Sequence, residues 1–91
     1  MKKRETFKLK HKEPFAVECD GGTVYEIPPL DRLAYEDWAD ISQLGDNADT
    51  KMVIDTYKAF FLRVCPDLES EDIGDNQWVI LGHGYLEAMG E

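Results

Sequence analysis

With 91 residues the chain has the length of one domain and leaves no room for a second, catalytic one; at that size a single core supplies a stability of about 5 kcal/mol. A hydrophobic share of 43%, with aromatic residues 11% of the chain, reads as globular rather than disordered. Charge is unevenly placed: residues 1–13 hold six basic side chains against two acidic ones, +4, and the remaining 78 hold four against seventeen, −13. Such a body repels phosphate backbones and anionic lipid, so nucleic-acid and membrane partners are disfavoured.

The start, Met1-Lys2-Lys3-Arg4, is charged like a secretory leader, but no apolar run follows it, and the reading is a chain without a signal peptide. The longest apolar stretches, 59–62 and 78–81, are far too short to cross a bilayer. A cytoplasmic location is the expectation, and in a reducing compartment Cys19 and Cys65 are read as unpaired small residues.

Residues 6–10 alternate polar and apolar, with Lys8 and Lys10 suited to protecting a sheet edge, and 14–19 repeat the period. Asp20-Gly21-Gly22 predicts a three-residue hairpin loop, because its third position needs a left-handed backbone that Gly22 adopts without a Cβ clash. That loop sets Cys19 opposite Thr23, Val17 opposite Tyr25 and Phe15 opposite Ile27, which gathers the apolar residues of 14–19 and 23–27 on one face. A two-residue loop at Gly21-Gly22 would face Val17 with Glu26 and lose the pattern. Pro28-Pro29 ends the second strand, since neither residue has an N–H to donate.

A connector over 30–34 leads into helical spacing at Tyr35, Trp38, Ile41 and Leu44, with Glu36 and Asp37 well placed against the helix dipole and Gly45 as the stop. The linker at 46–50 ends in residues able to cap a second helix, over 50–64, whose stripe is Val53, Tyr57, Phe60, Phe61 and Val64 and which Pro66 closes. A third helix is predicted over 71–88, its start at Ser70-Glu71-Asp72 or, after a break at Gly74, at Asp75. Trp78, Leu81, Tyr85 and Met89 share its face. Gly82 and Gly84 each cost about 1 kcal/mol against Ala there, which a close approach of another element at Gly82 would explain. The whole is a single α+β domain, a hairpin or small antiparallel sheet against three short helices at 35–44, 50–64 and 71–88.

Chemistry-bearing patterns are sparse. The two histidines, His11 and His83, stand far in sequence from Cys19 and Cys65, and no nucleophile elbow supports a catalytic triad. The four lack the paired spacing of structural zinc sites, Gly82-His83-Gly84 lacks the rest of a phosphate loop, and the acids at 67–75 do not fit a calcium loop. No catalytic residue, metal or cofactor is expected. The aromatic stripes remain: Tyr35, Trp38, Tyr57, Phe61, Trp78 and Tyr85 are core residues first, but a small sheet under three short helices leaves aromatic area over, the usual substrate of partner binding or self-association. Trp38, Phe61 and Trp78 are the expected exposed anchors.

A short strand region with a Gly-containing turn, an ending Tyr25-Glu26-Ile27-Pro28, and acidic helices after it resembles the small tail assembly chaperones of long-tailed bacteriophages or prophages, in layout from about Phe7 to Met89. Gly82, Gly84 and the basic first strand have no counterpart in that pattern. The resemblance implies a non-enzymatic protein, cytoplasmic in a bacterial host and not kept in the mature virion. It would coat the tape measure protein until tail-tube subunits polymerise, with the tail-tube protein as a second partner and homo-oligomers open. From another class, the −13 body suits an acidic inhibitor, or nucleic-acid mimic, of a basic protein surface.

Overall fold

The structure is a computed structural model that describes residues 12–45 and 47–89. The strand expected at 6–10 lies outside the described residues. Two strands, β1 (Phe15–Glu18) and β2 (Val24–Ile27), form an antiparallel hairpin with Phe15 opposite Ile27 and Val17 opposite Tyr25. The three-residue loop holds as expected: Gly22 N–H donates to the Cys19 carbonyl at 2.8 Å, Cys19 N–H to the Thr23 carbonyl at 2.9 Å, and Gly22 has φ +88°. Phe15, Val17, Tyr25 and Ile27 therefore turn to the core, and Ala16, Glu18, Val24 and Glu26 to solvent.

After Pro28-Pro29 the connector winds into one 3-10 turn, Leu30–Arg32, and then helix α1 runs over Tyr35–Ser42. It stops two residues short of the expected end. Gln43 N–H closes it with a last α-type bond to the Ala39 carbonyl and Leu44 N–H with a 3-10-type bond to the Ile41 carbonyl, and Gly45 does not take a left-handed backbone, since Gly22 is the positive-φ residue among those described. Helix α2 spans Thr50–Val64 as expected, its N-terminus capped by Asp49, whose Oδ1 accepts from Met52 N–H at 2.8 Å. The Arg63 guanidinium reaches back to Asp37 on α1 at 2.9 Å.

Between α2 and the third helix the sequence reading needs correction. Residues Pro66–Ser70 form a 3-10 turn that drives Leu68 fully into the core, and Ser70 Oγ donates back to the Asp67 carbonyl instead of capping a helix. Helix α3 begins at Asp75 and runs to Met89, so its start is the second of the two sites considered. Gln77 Oε1 accepts from Gly74 N–H at 2.8 Å, the reach-back half of a capping box.

The core lies where the hairpin, α2 and α3 meet, around Ile27, Tyr57, Phe60, Phe61, Leu68, Trp78 and Tyr85, with Ile41 of α1 at its margin. Gly82 explains how closely the two long helices approach. A Cβ there would stand 2.6 Å from the Tyr57 ring, so the ring occupies the space a side chain would need. No helix among the described residues is long and apolar enough to cross a membrane.

Candidate functional site

The six aromatic residues singled out as partner contacts divide into two groups. Tyr57, Phe61, Trp78 and Tyr85 are 5%, 0%, 3% and 0% exposed, so of the three exposed anchors expected Phe61 and Trp78 are buried and Trp38 is only half-exposed. The reason is geometric. Gly82 lets α3 settle onto α2, and the two apolar stripes meet ring to ring: Phe61 stacks on Trp78 at 6.2 Å, while Tyr85 meets Phe61 edge-on at 5.7 Å and Phe15 of the hairpin edge-on at 5.5 Å. The Tyr85 hydroxyl donates to the Pro28 carbonyl, which ties α3 to the end of β2. Burial, with the nearby Asp31 charge adding to it, pushes this phenol up to about 12.

Tyr35 and Trp38 are placed differently. Both lie on α1, where their rings meet edge-on at 4.9 Å, with Tyr35 57% exposed and Trp38 half-buried against the core. The two stay together because three residues is one helical turn, and because α1 offers the core little beyond Ile41 and Trp38. Tyr35 Oη lies 3.4 Å from Ser42 Oγ. The Trp38 Nε1 hydrogen is shielded from solvent and has no hydrogen-bond partner among the described residues, so this indole is packed without being fully satisfied. The other large exposed apolar side chains, Val24, Met52 and Ile80, sit singly on β2, α2 and α3. Singly exposed apolar residues are ordinary, whereas adjoining aromatic rings at a helix start offer continuous area.

Neither thiol is shifted toward its thiolate. Burial raises the Cys19 thiol, and the Glu71 and Asp20 charges raise it further; burial also raises Cys65, with Asp67 adding to it. Both are free cysteines, half-buried. His83 is exposed, with its ring edge-on to Tyr57 at 5.9 Å. Among the described residues no three His, Cys, Asp or Glu side chains come together in a group able to hold a metal.

One feature escaped the sequence. The hairpin loop and the segment entering α3 flank a half-open cavity of about 350 Å³, with Val17, Cys19, Ile73 and Leu81 as its apolar lining and Glu18, Asp20, Glu71 and Asp72 as its acids. Tyr25 Oη donates to Glu71 Oε2 at 2.6 Å and fixes one wall to β2. This bond is the main reason the Tyr25 phenol is raised. The two walls come from residues 17–21 and 71–81, too far apart in sequence for spacing to announce them. The chain matches no family model, and no curated protein or solved structure matches it.

Proposed function

We propose that the chain is a non-enzymatic tail assembly chaperone that binds and solubilises a tape measure protein in the cytoplasm of a bacterial host and leaves before the virion matures. The observation that carries this reading is the Tyr35–Trp38 pair at the start of α1, Tyr35 exposed and Trp38 half-buried at the core's edge, on an otherwise acidic domain. Rings with two torsions lose little entropy on docking and suit the apolar stripe of a client helix. A charge of −9 keeps a coated client soluble, and many weakly bound copies along one long helix would act by multivalency.

The test is to co-express the chain with the tape measure protein encoded beside it. The expected result is a client that stays in the supernatant with the chain and sediments without it, in about 0.5 M salt as well as at low salt, because apolar contacts are little screened. A gene neighbourhood with no long helical reading frame, or a client that sediments regardless, overturns the reading. The acidic cavity favours a second reading, an acidic inhibitor of a basic protein surface. That inhibitor would release its partner as salt rises.

A further inference from the structure

The cavity between the hairpin loop and the start of α3 is unused by the aromatic pair on α1, and its chemistry is of one kind. Four acidic residues line it, from two separate segments, and among the described residues no Lys, Arg or His does. The ion pairs of the described residues lie elsewhere, at Lys51–Asp55 and Arg63–Asp37. Glu18, Asp20 and Asp72 are exposed at the mouth, while Glu71 is half-buried and held by Tyr25. The four do not converge into a metal-holding group. Spread acids over an apolar floor match a larger organic cation with an aliphatic body. The volume, about 350 Å³, is in the range of sites that enclose a small ligand.

We propose that this cavity takes an arginine side chain from a partner polypeptide, its methylene stem on Val17, Ile73 and Leu81 and its guanidinium among Glu18, Asp20, Glu71 and Asp72. Arginine fits better than lysine because its planar fork presents five donors that can reach carboxylates on both walls, whereas an ammonium is a compact point charge. Its stem covers apolar surface while the head stays among the acids. The body of a second copy, −13 over residues 14–91, is repelled from the cavity. The inference rests on the reading of the chain as a protein-binding domain and names the partner chemistry at a second point of contact: a client segment with an arginine beside its apolar stripe.

The experiment is a titration of the isotope-labelled chain, followed by amide NMR shifts, with a capped Ala-Leu-Arg-Leu-Ala peptide and its lysine and citrulline counterparts. The expected result is shifts centred on Cys19, Asp20, Gly21, Ile73 and Gln77, strongest for arginine, with affinity about ten-fold lower for citrulline. The exposed pair Glu18→Gln with Asp72→Asn should lower arginine-peptide affinity by about ten-fold, while Glu36→Gln with Glu87→Gln, outside the cavity, should leave it unchanged. Equal binding of the citrulline peptide, shifts spread over the acidic surface, or spermidine binding at the same amides as tightly as the arginine peptide would each overturn the proposal. No client is present in this titration, so its failure leaves the client-solubility result standing, and failure of the client assay leaves the titration readable.

Discussion

The aromatic rings of this chain occupy two neighbourhoods with different physics. Around α2 and α3, Phe60, Phe61, Trp78 and Tyr85 touch one another and are almost without exposure. On α1, Tyr35 and Trp38 touch each other, but Tyr35 faces solvent and the Trp38 indole N–H is unpartnered among the described residues. Both groups arise from the same helical spacing. What separates them is whether a second long element comes near enough to seal the stripe: Gly82 brings α3 onto Tyr57 of α2, and α1 has no such counterpart along Tyr35. A stripe therefore marks a surface that can be buried, and the residue facing it decides whether it is.

The sharpest way to break this contrast is truncation on each side. Phe61→Ala removes a fully buried ring with ring partners on three sides, and the expected cost is about 3–5 kcal/mol, enough to unfold most of a domain this small. Tyr35→Ala should change stability by no more than about 0.5 kcal/mol. Urea unfolding followed by circular dichroism reads both; equal losses would remove the distinction between the neighbourhoods.

The glycines of α3 sharpen it further. Gly82→Ala drives a Cβ into the Tyr57 ring at 2.6 Å, and overpacking of about 1–3 kcal/mol outweighs the helix preference for Ala. Gly84→Ala meets only Phe15 Cζ at 3.8 Å, an ordinary contact, so that preference should prevail and stabilise by about 0.5–1 kcal/mol. Thermal melts of the two variants should move in opposite directions. A rise for Gly82→Ala would mean that α2 and α3 are not in contact there.

A smaller effect tests how the core is tied to the hairpin. Tyr85→Phe loses the hydrogen bond to the Pro28 carbonyl, at about 1 kcal/mol near neutral pH. Because the folded-state phenol is raised from 10.0 to about 12, its neutral form contributes stability that is whole below pH 10 and lost as pH rises toward 12. Removing it should flatten the fall in stability between pH 10 and 12, measured by urea midpoints at each pH. The slope should not vanish, since Tyr25 and Tyr57 are raised as well.

The hairpin was legible in the sequence because two independent constraints agree on one register: the left-handed position that Gly22 supplies and the alternation of Phe15, Val17, Tyr25 and Ile27. Helix α2 was legible from its punctuation, Asp49 before it and Pro66 after it. The start of α3 was ambiguous because Ser70-Glu71-Asp72 carries cap chemistry that the chain spends on a 3-10 turn burying Leu68. Of the candidate contacts, the sequence named Tyr35 and Trp38 but could not part them from Phe61 and Trp78. Periodicity gives the face of a helix and not what packs on it. The cavity was invisible for a related reason, since its walls are joined by tertiary packing and the Tyr25–Glu71 bond across 46 positions.

The most direct measurement is the solubility of the proposed client, a tape measure protein, co-expressed with Tyr35→Ser, whose own stability and circular dichroism are checked beside it. The expected result is a folded variant that leaves the client in the pellet while the parent chain keeps it in solution. A folded Tyr35→Ser variant that holds the client in solution as well as the parent does would contradict the assignment of α1 as the gripping face.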